Sequence, residues 1–223
     1  MSFKKWAIVA VCLFGIGMVL GLTVPVSIAD FLAEDLAALE ELAASLSPFK
    51  VSTAVFIFIK NVSALMFSFI FSPFLCLLPI MALMVNGWLL SFISAMVVRE
   101  RSLGLVLAAL LPHGIIEIPA LIIGEAAALS FGAMVVMLLV RKESRTVLIS
   151  IFSQSFRQTL LILVLLFITG IFPTVIVLAL LREQTRAIFL SNLKQNARYL
   201  MIACILLVPA AIIETYITPL FLT

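Results

Sequence analysis

The chain has 223 residues, 65% of them hydrophobic and 11% charged, with a formal net charge of +3 and a mean hydropathy of +1.33. Too little polar sequence remains to coat a water-soluble core, so helices this apolar have lipid as their solvent. The small positive balance does not mark a nucleic-acid binder, because the cations stand beside apolar runs, as topogenic loops do.

Met1 to Lys5 is short and basic, and Trp6 to Pro25 is apolar throughout. A cleaved signal peptide competes for this stretch, but the run is long and no small-x-small site follows it, which favours a retained span. Gly17 and Gly21 stand one turn apart in it, a small-residue face suited to close helix packing and, on this reading, to a homodimer. Residues 26–50 form the longest polar stretch. Asp30, Glu34, Asp35, Glu40 and Glu41 alternate there with leucines at helical spacing, which predicts an extracytoplasmic amphipathic helix on the membrane rim. Its acidic face, opposite Lys4 and Lys5, puts the N-terminus in the cytoplasm and offers a surface to membrane or extracytoplasmic protein partners.

Val51 to Phe71 is the second span and carries Lys60 and Asn61 near its middle. A lysine at that depth costs a few kcal/mol at least, and so should face protein or water. Leu75 to Val98 is the third span, with Asn86-Gly87 at its centre, where an amide beside a small residue suits a hydrogen bond to another helix. Leu103 to Val140 is too long for one straight span of about 20 residues and too short for two with a loop. Pro112, Gly114 and Pro119 supply a break within it, so a broken or re-entrant first half followed by one full span is expected.

Residues 141–198 read as an inserted region with basic flanks, Arg141-Lys142-Glu143-Ser144-Arg145 before it and Arg182 to Arg198 at its end. The apolar stretch Leu160 to Leu181 between them crosses once with a kink at Gly170 and Pro173, or turns back as a re-entrant hairpin; its length slightly favours the single crossing. Leu200 to Phe221 is the last span. Pro209 lies inside it and Glu214 near its end. The whole chain, 1–223, is one all-α polytopic membrane domain of about six spans or re-entrant pairs, by the length rule for membrane helices.

The chemistry-bearing residues gather around Pro112-His113-Gly114-Ile115-Ile116-Glu117-Ile118-Pro119. His113 and Glu117 share a helix face, which continues through Ala120, Gly124 and Ala128, while Glu125 lies to the side. The candidate intramembrane polar site is therefore His113, Glu117, Glu125, Lys60, Asn61, Asn86 and Glu214, with Ala120, Gly124 and Ala128 as a packing stripe. An ion pair from Lys60 to Glu117 or Glu125 would offset the cost of carrying both charges into lipid. The cluster reads either as a mutually satisfied lock that fixes helix register, or as an ion or substrate path. Enzymatic readings fail on the residues. One histidine cannot make an HExxH zinc site, no G-x-S-x-G elbow or P-loop is present, and Cys12, Cys76 and Cys204 have no metal spacing. No catalytic residue, metal or cofactor is expected.

The run from Pro112 to Ala120 resembles the signature of the stage II sporulation protein M family, and Asn86-Gly87, Ile213-Glu214 and Thr218-Pro219 look like further family features. The resemblance covers the first four spans and the last; residues 145–198 are longer than the family pattern, and Glu125 stands where a small residue is expected. It implies a multi-span protein of the cytoplasmic membrane, a scaffold or assembly subunit without catalytic residues. A transporter or channel-like permease using the His/Glu/Lys site is the alternative.

Overall fold

The computed structural model describes residues 3–23, 47–73, 76–100, 102–140 and 183–221. In chain order they form α1 (Phe3–Leu22), α2 (Val51–Phe71), α3 (Leu77–Glu100), α4 (Leu103–Val140), α5 (Glu183–Tyr216) and a terminal 3-10 turn, η1 (Thr218–Phe221). All five α-helices contain a stretch long and apolar enough to cross a membrane. The helical membrane architecture is the expected one. The amphipathic segment, apart from Ser47 to Lys50, and the stretch from Arg141 to Arg182 lie outside the described residues.

α4 is the axis of the bundle: it touches α1, α2, α3, α5 and η1. From Gly124 to Ser130 and on to Gly132 every residue is buried, so this stretch has neighbours on all sides. Small side chains let the neighbours come close, and the sequence supplies Gly124, three consecutive alanines, Ser130 and Gly132 among the larger Glu125, Leu129 and Phe131. The expected break is not there. Pro112 and Pro119 lie inside one continuous helix of 38 residues. Each proline removes a main-chain donor and crowds the carbonyl one turn before it. In a membrane bundle, neighbouring helices and local adjustment absorb that defect. A helix of this length runs about 57 Å at 1.5 Å per residue, well beyond a hydrocarbon core of about 30 Å, so it tilts or overruns the bilayer.

Two pairs of helices pack in parallel. In the first, a Cβ on Gly17 would overlap the Met84 carbonyl, one on Gly21 would overlap Trp88 and Ser91, and one on Gly87 would overlap the Phe14 carbonyl. α1 and α3 therefore approach backbone to backbone. The Gly17/Gly21 face assigned to a homodimer is spent inside the chain, as is the Ala120/Gly124/Ala128 stripe, where Ala120 and Ala128 are fully buried. A dimer would have to use other surfaces. In the second pair, Leu65 of α2 seats on Gly124 and the Ser72 carbonyl on Gly132. Two stacked rings, Phe69 and Phe131 with centroids 5.0 Å apart, close the same seam.

α5 runs antiparallel to α4. Phe189 near its start meets Phe131 at 6.1 Å, Ala203 meets Gly124, and Ile213 near its end and Ile217 just beyond it line a cavity with Leu107 and Leu111. Phe3 at the start of α1 stacks on Tyr199 of α5 at 3.5 Å, so the basic start of α1 lies at the same end of the bundle as the basic half of α5. The end of α4 and the start of α5 also lie at that end.

Two outcomes follow from this packing. Gly17→Leu or Gly87→Leu should lower the melting temperature sharply, since over-packing costs about 1–3 kcal/mol or more. Gly15→Ala, where nothing stands within 4 Å, should leave it unchanged; fluorescence-detected melts in detergent compare the three. Cysteines placed at Val140 and Arg186 should be labelled by an impermeant thiol reagent from the same face of sealed vesicles.

Candidate functional site

The polar side chains of the spans collect on the α2–α4 seam and its junction with α5. On α2, Asn61 and Ser68 are two turns apart and face the same way; on α4, Glu117 and Glu125 are also about two turns apart. The parallel packing brings these pairs into register. Asn61 Nδ2 donates to Glu117 Oε1 at 3.2 Å. Two turns deeper, Ser68 Oγ donates to Glu125 Oε2 at 2.5 Å. Between the two rungs, Leu65 presses its Cδ2 to within 2.8 Å of where a Cβ on Gly124 would stand. An apolar plug thus separates the polar contacts.

Glu125 is almost fully enclosed, with 1% of its surface exposed. A charge left unpaired at such a site costs several kcal/mol. The Ser68 hydroxyl, itself buried, is the polar partner that α2 brings to it. Of the two ion pairs anticipated from Lys60, to Glu117 or to Glu125, the Glu125 position is taken by the Ser68 hydrogen bond. Lys60 is exposed; Glu117 takes its hydrogen bond from Asn61, and Glu214 of α5 lies within electrostatic reach of both Lys60 and Glu117. A second group, Lys60, Asn61, Glu117 and Glu214, therefore spans three helices. It lies toward the end of the bundle where Phe49 N–H donates to the Thr215 carbonyl at 3.2 Å.

Asn86 plays no part in either group. It is exposed on α3, and its amide donates to the Ala82 carbonyl of its own helix at 2.7 Å. A polar side chain facing lipid satisfies itself one turn back when no neighbour offers an acceptor. Its neighbour Gly87 is the packing residue. His113 lies on α4 one turn before Glu117. Among the described residues, no three His, Cys, Asp or Glu side chains converge as a metal site would require. Ser68 went unread in the sequence, and its signal was its two-turn spacing from Asn61, matching the spacing of the two glutamates.

A cavity of about 410 Å³ lies beside this site and does not contain it. Leu107, Ala108, Leu111, Pro112 and Ile115 of α4 face Ile213 of α5 and Ile217, just past its end, across it. The lining is apolar.

The family model for stage II sporulation protein M matches residues 10–177, well over half of the chain. The chain belongs to this family. The match takes in α1 from Ala10 onward and all of α2 to α4, and with them the proline-bracketed His-Gly-x-x-Glu motif, Lys60, Asn61, Asn86 and Glu125. It also continues through residues 145–177, read from the sequence as departing from the family pattern. It stops before α5, so Glu214 and Thr218-Pro219, read as family features, fall outside it. Comparison with curated proteins and with solved structures returned no match.

The geometry predicts that each rung contributes to stability by a modest amount. In an Asn61→Leu and Glu117→Met double-mutant cycle, melting should report a coupling of about 0.6–2 kcal/mol, the range found for interhelical hydrogen bonds in membranes. Ser68→Ala should cost about 1–3 kcal/mol, because it leaves a buried carboxyl without its donor. Lys60→Met should be close to neutral in the same melts.

Proposed function

We propose that this membrane protein is a non-catalytic scaffold or assembly subunit of the cytoplasmic membrane, with its basic end inside. Lys4, Lys5, Arg186, Lys194 and Arg198 belong to that end, and the excess of cations on cytoplasmic flanks gives the orientation. The observation that supports the scaffold reading is the way Glu117 and Glu125 are used. Each accepts a hydrogen bond from a polar side chain of α2, and a packed leucine lies between them. Polar groups in that arrangement fix the register of two helices and leave no continuous polar route. The partners would meet the acidic residues of the 26–50 segment on the outer side.

A permease is the second reading, and one observation favours it: Lys60 is exposed beside Asn61, Glu117 and Glu214 at membrane depth. Ionisable residues at such depth commonly mark ion or proton paths. Two measurements separate the readings. Reconstituted into proteoliposomes under a pH or potassium gradient, the scaffold produces no flux above protein-free vesicles. Purified from its native membrane in mild detergent, it carries a stoichiometric protein partner. That partner is lost when Asp30, Glu34, Asp35, Glu40 and Glu41 are changed to amides. A chain that purifies alone and conducts an ion current abolished by Glu117→Gln contradicts the scaffold reading.

A further inference from the structure

Three exposed cations at the basic end of the bundle, Lys4 of α1 and Lys194 and Arg198 of α5, stand far from any acidic residue of the described helices. α1 and α2 contain none, α3 has only Glu100 at its far end, and α4 has none beyond Glu125. α5 has none between Glu183 and Glu214. Glu125 is enclosed and takes the Ser68 hydroxyl.

One contact brings these cations together. The rings of Phe3 and Tyr199 stack with centroids 3.5 Å apart, Lys4 follows Phe3, and Arg198 precedes Tyr199. α1 is parallel to α3, and only Arg101 and Ser102 separate the end of α3 from the start of α4. α1 therefore runs against α4, as α5 does, so α1 and α5 run the same way. Helices running the same way turn in the same sense, by about 100° per residue. One step forward from Phe3 and one step back from Tyr199 then carry Lys4 and Arg198 to the same side of the stacked pair. Lys194, four residues before Arg198, shares its helix face.

The same two faces continue deeper as apolar surface. Ile8 and Val11 follow Lys4 by four and seven residues, Ile202 and Ile205 follow Arg198 at the same spacings, and all four are exposed. Those spacings keep a residue on one helix face. Seven residues cover about 10 Å, within one leaflet of a hydrocarbon core about 30 Å thick. α4 packs against both helices and holds them in place. Each helix thus presents the same pattern beside the aromatic pair, a cation at the membrane surface with bare aliphatic side chains beneath it.

We infer that this junction binds one anionic phospholipid. Its phosphate sits between Lys4 and Arg198, with Lys194 beside them, and its acyl chains lie along Ile8 and Val11 of α1 and Ile202 and Ile205 of α5. Lysine meets a phosphate oxygen as a point charge and arginine through paired N–H donors. Basic pockets between membrane helices recognise anionic head groups in this way. Charge selects the occupant, because a zwitterionic lipid brings a cation of its own to a site that already holds three. The leaflet, the cytoplasmic one, rests on the proposed orientation; the binding itself depends neither on that nor on a scaffold role.

The test is native mass spectrometry of the full chain in mild detergent, titrated with phosphatidylglycerol or with phosphatidylcholine of the same acyl chains. One phosphatidylglycerol should be retained several-fold more tightly than phosphatidylcholine. Lys4→Gln and Arg198→Gln, on different helices, should each weaken that adduct several-fold without lowering the melting temperature, and Lys4→Arg should keep it. Arg186→Gln removes an equal charge about 18 Å away along α5 and should leave retention unchanged. Excess glycerol phosphate should not displace the lipid. Equal retention of the two lipids overturns the site, as does a loss from Arg186→Gln as large as that from Lys4→Gln, which would show attraction to the basic end as a whole. Displacement by glycerol phosphate would assign the cations to a soluble phosphate and overturn the lipid.

Discussion

Everything in this bundle depends on α4 being enclosed from Gly124 to Gly132. A helix with neighbours on every side can bring them close only where its own side chains are small. Where one side chain is large and polar, the surrounding helices must answer it. Glu125 is that side chain, and Ser68 is the answer. Their hydrogen bond, the Leu65–Gly124 contact and the Ser72–Gly132 contact fall along one parallel seam, so α2 and α4 can slide past each other only by breaking all of them together. In lipid, where hydrophobicity does not drive one apolar helix toward another, such contacts carry the specificity that a water-soluble core obtains from burial.

The class of fold and the number of described spans were legible in composition and in the lengths of the apolar runs, because lipid constrains both strongly. The polar residues that belong inside the bundle were partly legible. Asn61 and Glu117 do meet, while Asn86, chosen by the same rule of intramembrane polarity, turns out to face lipid and bond its own helix. That rule identifies residues that need a partner, and it does not say whether the partner is another helix or the carbonyl one turn back. The break at Pro112 and Pro119 was misread because proline is costly in helices in water. Packed among other membrane helices, α4 stays helical through both. The small-residue pairs were correctly seen as contact faces, but sequence spacing cannot distinguish a neighbour in the same chain from one in a second copy. Gly17 and Gly21 meet α3, not another molecule. Ser68 was missed for a simpler reason: a serine in an apolar helix is common, and only its register with Asn61 set it apart.

The two polar groups differ in a way that bears on function. The Glu125 contact is closed, small and central, and lies inside the part of the chain that the stage II sporulation protein M family model matches. The group of Lys60, Asn61, Glu117 and Glu214 is open on the Lys60 side and draws one member from α5, beyond the matched residues. The seam that carries Glu125 thus lies within the matched residues, while the second group depends on a helix that begins after them. The apolar groove between α4 and α5 lies toward the same end of the bundle.

The central claim is that the α2–α4 seam is dry around Glu125. It is tested most directly by thiol accessibility in a chain whose native cysteines, Cys12, Cys76 and Cys204, are replaced by serine or alanine. Ser68→Cys is exposed to a small charged methanethiosulfonate reagent from either face of sealed vesicles, with Lys50→Cys as the reactive reference. The account predicts that the cysteine at position 68 stays unmodified from both faces over times that fully modify the one at position 50. Rapid modification from one face would show water reaching Glu125, and would contradict the lock in favour of an aqueous path through the protein.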